Sequence, residues 1–499
     1  MMIGRRVEEA YPPKPPLDAV LGEPVVLSAR GLAADRRFRN VSFDLHRGEI
    51  LGIGGLQGQG QHDLLEALFG QHSPTGEIEL GGRPVSIASE RDAISRGIAY
   101  VPEDRKTEGL IVQLSVGENL VLPSLPRLSR GGVLAGGEQR LVDELIQRMD
   151  VRLRSPRQAL ARLSGGNQQK VAIAKWLPLA PNIYLLAEPT RGIDVGTKQE
   201  IYRLMRELTA AGASILLISS DTIELVGLCD RVLVMYERQP VTMLSGDEVT
   251  EANVVHASVA GIEPGGRSAE HEESDRAAPS EPAARRERTA PSGLFAGLPR
   301  EWRDVAPVYT IALLFGVIYL VSVRDTFSLG TINNLSAYLF PLFLVALGQS
   351  VIMLTGGIDL SVGAMVSLAT VLAATRMTDS IGSIALGILI VSAVGAAIGV
   401  FTGGLVSLAR IPAIIVTLAT SFLWSGLALF VLSTPGGHLP ARFADAFTGR
   451  LGGVVPVTLL VLAVVMLIWS AIRNSVLGLH IYAVGDNPHG AFISGVNVH

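Results

Sequence analysis

Cysteine is almost missing from this chain of 499 residues, in which Cys229 stands alone. A single cysteine excludes intrachain disulfides and CxxC-type metal sites, and it is typical of a protein in a reducing cytosol. Its apolar neighbours favour a small buried residue. Excess positive charge is also missing, since the formal net charge is −4. We therefore expect no nucleic-acid partner and no polybasic membrane-surface mode.

We expect no cleavable secretory signal at the N-terminus, because it is charged and rich in proline. Formal charge is missing from six successive runs in the C-terminal part, and most of them reach the ~20 residues that span hydrocarbon. The runs are Val305–Val323, Asn333–Thr355, Leu360–Thr375, Ser380–Ala409, Ala413–Ser433 and Leu451–Ile472. Their number favours a helical membrane part over buried core helices, and their glycine and serine suit close helix packing in lipid.

These composition changes predict four segments. Residues 1–24 contain much proline and no apolar periodicity, so they are predicted to be a tail or linker. Residues 25–260 alternate strand and helix patterns, and residues 261–304 mix charge with Pro, Ala, Ser and Gly, which predicts a flexible linker. Residues 305–499 are predicted to form about six transmembrane helices.

A glycine-rich turn at 54–60 separates a strand pattern from the helical pattern LLEALFG, which is the context of a phosphate loop. When GxxxxGK[ST] is aligned on Gly55 and Gly60, Gln61 takes the lysine position and His62 takes the hydroxyl position. A P-loop lysine supplies charge to the phosphates, and the hydroxyl holds Mg²⁺. This loop therefore lacks both groups.

The two replacements predict a weakened site. A charge-assisted hydrogen bond contributes about 1.5–3 kcal/mol, so neutral Gln61 should bind phosphate less well than lysine. His62 is a poor Mg²⁺ ligand, because hard cations prefer oxygen. The backbone around Gly58 can still cradle phosphate, so weak ATP binding and a purely structural turn are both open interpretations.

The stretch Leu163–Lys170, LSGGNQQK, places a serine and two glycines before a segment with helical apolar spacing. A helix N-terminus of this kind presents a hydroxyl and backbone N–H groups to an anion. The string resembles the signature motif of ATP-binding cassettes, in the form typical of simple-sugar importers. The degenerate loop at 54–60 and the string PEDRKTEGL at 102–110 are similar to the second cassette of such importers.

This resemblance, which covers about residues 4–260, implies an α/β P-loop NTPase fold (ABC cassette) followed by an all-α transmembrane domain. The string IGRRVEEAYP resembles the connector between two cassettes, so in family terms a first cassette would precede Met1. The resemblance also implies roles for individual residues: signature contacts to ATP held by a partner cassette at Leu163, Ser164, Gly165, Gly166, Asn167 and Gln168, a D-loop at Asp194, and polarisation of the attacking water by Glu188.

Against the family pattern, further groups are replaced. Ala187 stands where an aspartate orients Mg²⁺, Ser220 stands in the position of the switch histidine, and Glu103 lies near the place of a Mg²⁺-sensing glutamine. With Gln61 in the lysine position as well, we expect this chain's own site to hydrolyse ATP feebly, with Glu188 compromised.

Within the apolar part, TGGIDLSVG includes Gly357, Asp359, Ser361 and Gly363. A carboxylate between apolar spans commonly marks a functional site. A turn in which Asp359 caps the following residues is the favoured interpretation. As a string, the stretch resembles a hallmark of simple-sugar permeases, as does IPAIIVTLAT at 411–420.

Residues 478–497 resemble the cytoplasmic coupling loop of such a permease, a short helix that docks on a cassette. The residues assigned to coupling are Gly485, Asp486, Asn487 and Gly495. A typical permease of this class continues past the position of His499, which implies that about two-thirds of it is present here.

Together these resemblances imply a component of an ATP-driven importer of monosaccharides in a bacterial inner membrane, with its cassette on the cytoplasmic side. The implied cofactors are ATP and Mg²⁺, mainly in a site shared with a partner. The implied partners are another cassette with an intact Walker A loop, a further permease subunit, an extracytoplasmic sugar-binding protein and membrane lipid. Two alternatives stay open: a truncated remnant or non-catalytic regulatory subunit, and an importer of nucleosides or a furanose signal.

Overall fold

The computed structural model describes residues 11–130, 133–134, 137–260, 300–322, 328–434, 436–452 and 455–498. The strands are β1 Val25–Ala34, β2 Phe38–His46, β3 Ile50–Gly54, β4 Thr75–Leu80, β5 Arg83–Val85, β6 Ile98–Val101, β7 Ser129–Arg130, β8 Val133–Leu134, β9 Ile183–Ala187, β10 Ser214–Ile218, β11 Arg231–Tyr236, β12 Gln239–Ser245, β13 Arg450–Leu451 and β14 Val455–Pro456.

The helices are α1 Leu17–Leu21, α2 Gln61–Leu68, α3 Glu90–Ser95, α4 Val116–Val121, α5 Leu125–Leu128, α6 Glu138–Arg148, α7 Gly165–Ala174, α8 Val195–Ala210, α9 Thr222–Leu228, α10 Glu251–Ala260, α11 Arg300–Ser322, α12 Leu329–Leu354, α13 Val362–Arg376, α14 Ile381–Ser407, α15 Ala413–Val431, α16 Ala441–Thr448, α17 Val457–Arg473, α18 Val476–Asp486 and α19 Pro488–Ile493. Most of the predicted linker, residues 261–299, lies outside the described residues, as do residues 1–10.

The chain divides into two compact units. One, here called the cassette unit, contains Met1–Ser268, Ser350–Ile358 and Trp469–His499. The other, here called the helical unit, contains Ala269–Gln349 and Asp359–Ile468.

The cassette unit is built on a six-stranded sheet in the order β12-β11-β3-β10-β9-β6. Five of these strands are parallel, and β12 pairs antiparallel with β11 at one edge. The central strands are continuous apolar runs, and every residue of β3, β9 and β10 is buried. Such runs form strands that are covered on both faces. The predicted α/β fold class of this part is confirmed.

A second sheet is antiparallel, in the order β2-β1-β4-β5. Its inward residues, such as Leu27, Val41 and Leu45, belong to the same hydrophobic core as the main sheet. Ile53 and Ala187 both pair with Ile218, so β3, β9 and β10 end together. The loops that follow these three strands are therefore brought to one edge of the main sheet.

Residues 11–24 were expected to be tail or linker, but they pack against the cassette. The Tyr11 ring stacks on Tyr202 with a centroid distance of 5.1 Å. The Lys14 ammonium donates to the carbonyl oxygens of Val226 and Cys229, at 2.5 and 2.7 Å. Cys229 is a buried free thiol, as its apolar neighbours indicated.

The helical unit consists mainly of long apolar helices, in agreement with the predicted transmembrane domain. Among the described residues, three helices are long and apolar enough to cross a membrane: Gly330–Leu354, Ile381–Ser407 and Ala413–Val431. A fourth span results only if α17 and α18, which are separated by a bend, are counted together. Ala306–Tyr319 and Val362–Arg376 are shorter apolar helices, and the second of them corresponds to the run that was also short in the sequence. The number of about six transmembrane helices stays a prediction.

Candidate functional site

The loop between β3 and α2 has the geometry of a phosphate loop. Gly55, Gly58 and Gly60 have φ values of 135°, 86° and 90°, in the left-handed region that favours glycine. A Cβ at Gly55 would lie 2.4 Å from the Met235 carbonyl oxygen, and one at Gly60 would lie 2.5 Å from the Arg37 carbonyl oxygen. At Gly58 it would meet nothing within 4 Å. Glycine is therefore required at positions 55 and 60, because a side chain there would collide with the neighbouring backbone.

Gln61, in the lysine position, turns its side chain back into this loop. Its side chain is 3% exposed, and Nε2 donates to the Leu56 carbonyl oxygen at 2.9 Å. Within the described residues, Oε1 is buried without a hydrogen-bond partner. The amide thus closes the loop but brings it no positive charge.

His62 faces acidic side chains in an open cleft of about 570 Å³. Its Nε2 lies 2.9 Å from Glu103 Oε2, and the guanidinium of Arg191 contacts the other oxygen of Glu103. Burial lowers the pKa of His62, so the imidazole is neutral near pH 7. The residue in the hydroxyl position therefore presents a neutral nitrogen beside a paired carboxylate.

Glu188 follows β9 with φ 49°, and its carboxylate is bound by Ser220. Ser220 donates its backbone N–H to Oε1 at 2.6 Å and its hydroxyl to Oε2 at 3.1 Å. Burial raises the pKa of Glu188, although the two hydrogen bonds from Ser220 oppose the shift. The structure thus brings together Glu188 and Ser220, the two residues that the sequence analysis assigned to the water-polarising and switch positions.

This set of residues does not fit Mg²⁺. Ala187 is fully buried within β9 and carries no oxygen ligand, and His62 offers nitrogen. Hard divalent cations require oxygen ligands in this position. The one retained carboxylate, Glu188, already accepts two hydrogen bonds from Ser220. No catalytic step through a metal follows from these residues.

A buried carboxylate, Glu224, lies near this edge of the sheet, and no sequence pattern had singled it out. Glu224 is 1% exposed and accepts hydrogen bonds from four side chains. The donors are Thr190, Lys198, Tyr202 and Ser219. Burial raises the pKa of Glu224, but the donors together outweigh it and the pKa is lowered. Glu224 therefore ties the segment after Glu188 to α8 and to the end of β10.

The signature begins α7 with closely packed glycines. A Cβ at Gly165 would lie 2.7 Å from a guanidinium nitrogen of Arg105, and one at Gly166 would lie 2.7 Å from Thr197 Oγ1. Ser164 precedes the helix without capping it by its side chain. Its hydroxyl accepts instead from Asn167 Nδ2 at 2.8 Å. The hydroxyl and the first turn of α7 are thereby held in place by packing.

The remaining signature residues anchor this turn. Leu163 is buried, and Gln168 Nε2 donates to the carbonyl oxygens of Leu160 and Leu163, both at 3.3 Å. Asp194 caps α8 by accepting from the Thr197 N–H at 3.0 Å and from its hydroxyl at 2.9 Å. Hydrogen bonds from Thr197 lower the pKa of Asp194. Since Thr197 also packs on the signature, it joins the signature to the D-loop.

The C-terminal residues 476–498, here called the coupling segment, contact the cassette within the cassette unit. Asp486 Oδ2 accepts from the Gln113 N–H at 3.1 Å, and Asn487 Nδ2 donates to the Leu110 carbonyl oxygen at 3.1 Å. The Gly495 carbonyl oxygen accepts from Arg91 Nε at 2.9 Å. Gly485 packs so tightly on the Leu354 carbonyl that a Cβ there would overlap it. Apolar residues of the segment, Leu479, Ala483, Ala491, Ile493 and Val496, belong to the cassette core.

In TGGIDLSVG, Asp359 forms a local turn. Its Oδ1 accepts from both the N–H and the hydroxyl of Ser361, each at 2.7 Å. Helix α13 begins directly after Ser361. A Cβ at Gly363 would meet nothing within 4 Å, and the Gly357 N–H donates to the Ile352 carbonyl oxygen. This geometry is that of the turn that the sequence favoured.

Two protein families match separate parts of the chain. Residues 38–191 match the ABC transporter family, and residues 331–499 match the family described as branched-chain amino acid transport system/permease component. Among solved structures, a nucleotide-free ATP-binding cassette from an ABC transporter aligns with a TM-score of 0.41 and 19% identity. It covers 46% of this chain and 95% of that chain.

Curated relatives include two ribose import ATP-binding proteins. RbsA 1 of Rhizobium johnstonii is 50% identical over 264 residues, which is 52% of this chain and 51% of that protein. RbsA of Bacillus cereus is 41% identical over 263 residues, which is 52% of each. The chain spans about half the length of the curated relatives it matches.

Proposed function

We propose that this chain, which joins an ABC transporter cassette to a permease domain, is a component of an importer for monosaccharides. The observation that carries the proposal is the coupling segment, which lies within the permease match and is seated on the cassette by Asp486 and Asn487. The relatives that match half of the chain are ribose import ATP-binding proteins. An importer requires this kind of contact between cassette and permease.

The proposed contribution of the cassette is its signature. Ser164, Gly165 and Gly166 would contact ATP held on the intact P-loop of a partner cassette, with Asp194 beside the same interface. Their support is structural: the glycines are packed against Arg105 and Thr197, and the hydroxyl is held by Asn167. The chain's own P-loop would contribute little, because Gln61 brings no charge to it.

The importer would be completed by further components. We propose a cassette with an intact Walker A loop, a further permease subunit and an extracytoplasmic sugar-binding protein. Apolar helices of spanning length support a place in a bacterial inner membrane. Because ATP is cytosolic, the cassette would lie on the cytoplasmic side. When bound, ATP would supply the free energy for closure, and Mg²⁺ would be held mainly by the partner's residues.

A non-catalytic regulatory subunit is the second candidate, and Ala187 and Gln61 are the observations that favour it. Both candidates predict that this chain's own P-loop site does not hydrolyse ATP. They differ in transport, because only the importer component is required for sugar to cross the membrane. Nucleosides and furanose signals are the competing cargoes for the same permease.

Uptake by proteoliposomes tests the proposal. Vesicles would hold the full chain, a cassette with GxxxxGK[ST], a second permease subunit and internal ATP, with the binding protein outside. We expect accumulation of labelled ribose in preference to labelled nucleoside. Ser164→Ala should reduce it, whereas Ser42→Ala should not, since each hydroxyl accepts one hydrogen bond but Ser42 lies on the antiparallel sheet. Equal uptake when this chain is left out would overturn the importer role and favour the regulatory one.

A further inference from the structure

Lys175 is a buried cation at which three elements of the cassette unit meet. It directly follows α7 and is 2% exposed. Its ammonium donates to the Gly109 carbonyl oxygen at 2.7 Å and to Ser494 Oγ at 2.9 Å. It also lies 5.1 Å from the ring centroid of Trp176. Gly109 ends a π-helical turn over Arg105–Gly109, and Ser494 follows α19 of the coupling segment.

Ser494 is placed to accept from this cation. It is buried, and its hydroxyl donates its own proton to the Gly490 carbonyl oxygen at 2.7 Å. The oxygen is therefore left as an acceptor for the Lys175 ammonium. Gly490 packs closely on the π-helical turn, because a Cβ there would lie 3.1 Å from the Glu108 carbonyl oxygen. The hydroxyl is thus fixed in direction and in distance from the cassette.

Burying an ammonium group is unfavourable unless hydrogen bonds compensate for lost water. Burial alone lowers the pKa of Lys175 to about 7, which shows how little charge compensation surrounds it. Of its two acceptors, one belongs to the cassette and the other to the coupling segment. Departure of the segment would remove Ser494 and leave one hydrogen bond. Docking of the segment and satisfaction of Lys175 are therefore linked.

We propose that Lys175 is a positioning residue that fixes the register of the coupling segment on the cassette of the same chain. It connects the signature helix α7 directly to α19, so a displacement of α7 is passed to the permease through Ser494. The interpretation of residues 476–498 as a coupling segment rests on the proposed importer function. The docking itself is measurable without ATP turnover or transport.

Hydrogen exchange of the full chain in detergent micelles at about pH 6, below the lowered pKa of Lys175 so that its ammonium is charged, read by mass spectrometry, tests this proposal. The readout is exchange in peptides from 488–498, with peptides from β10 as a measure of cassette folding. The variants are Lys175→Met, Ser494→Ala and their combination. Lys14→Met is the matched control, because the Lys14 ammonium also donates to two oxygens but neither belongs to the coupling segment.

We expect wild-type 488–498 to be protected and Lys175→Met to accelerate its exchange about tenfold, as loss of a charge-assisted hydrogen bond implies. Ser494→Ala should also accelerate exchange in the same peptides. The acceleration in the double variant should be smaller than the product of the accelerations in the two single variants. Lys14→Met should leave these peptides unchanged. In Ser494→Ala, β10 should stay as protected as in the wild type.

An unprotected coupling segment in the wild type would overturn the proposal. So would multiplicative effects in the double variant, because a lysine that merely stabilised the cassette would not be coupled to Ser494. If Lys175→Met also increases exchange in β10, the cassette itself is destabilised and the test rests on Ser494→Ala alone. Exchange of the 488–498 peptides at the wild-type rate in Ser494→Ala would then contradict the proposal. Protected, Lys175-dependent docking without sugar uptake would instead refute the importer function alone.

Discussion

The two ends of the nucleotide-handling surface differ in what they have kept. At the signature, the glycines, the serine hydroxyl and the adjoining Asp194 cap are held in place by specific contacts. At the predicted P-loop edge, the glycines are present, but Gln61, Ala187 and Ser220 stand where the family pattern predicts chemically active groups. The backbone shape of the P-loop and its chemistry toward nucleotide are therefore set by different residues. Glycine is required at positions 55 and 60 because a side chain there would collide with a neighbouring carbonyl oxygen, whether or not a nucleotide binds. The loop can therefore keep its backbone shape without the groups that bind phosphate and Mg²⁺.

The largest effect is expected at the signature. Gly166→Ala places a methyl group 2.7 Å from Thr197 Oγ1, so the first turn of α7 or the Thr197 side chain must shift. A displacement of about 1 Å near a reacting centre costs on the order of a hundredfold in rate. We expect a loss of that order in ATP turnover by the complex of this chain with a partner cassette.

Gly137→Ala is the control for that substitution. Gly137 has open space around its Cβ position and a φ of −96° that any residue adopts, so we expect turnover to stay at the wild-type level. Equal turnover in Gly166→Ala and Gly137→Ala would show that the signature does not contribute to ATP hydrolysis. The signature would then be as inactive as the P-loop.

A smaller effect is expected when the missing charge is returned to the P-loop. Gln61→Lys should tighten binding of ATP to the purified chain about tenfold, because a charged donor contributes about 1.5–3 kcal/mol. Hydrolysis should not return, since Ala187 still offers no oxygen. Fluorescence titration with a labelled ATP measures the affinity.

Gln57→Lys adds the same charge to an exposed position of the same loop and serves as the control. Binding that improves equally in both variants would indicate general electrostatic attraction and contradict a specific lysine position. Rapid hydrolysis in Gln61→Lys would show that the other replacements are compensated.

The smallest effect concerns pH and Lys175. Its pKa is lowered from 10.5 to about 7 by burial, so between these values the unfolded chain holds a proton that the folded chain has lost. Stability contributed by this group must therefore rise with pH across that window. We expect Tm of the wild type, relative to that of Lys175→Met, to increase by a few degrees between pH 7 and pH 9. A constant difference would mean that Lys175 stays accessible to water.

Sequence patterns predicted the elements that depend on local chemistry. The loop at Gly55–Gly60, the start of α7 after Ser164 and the turn at Asp359 follow from glycine, capping and periodicity. The Glu224 cluster could not be predicted, because its four donors come from three separate stretches that only the sheet topology brings together. Lys175 was hidden for the same reason. A lysine after an apolar helix usually reaches solvent, and its acceptor Ser494 lies more than three hundred residues away.

We expect this cassette to use its signature but to have no hydrolytic site of its own. The most direct test is the rate of ATP hydrolysis by the purified full chain at saturating Mg-ATP, measured beside its Glu188→Gln variant. We expect the two proteins to show the same background rate, because Ala187 and Gln61 already prevent turnover. Robust hydrolysis at ordinary cassette rates that is abolished by Glu188→Gln would contradict it.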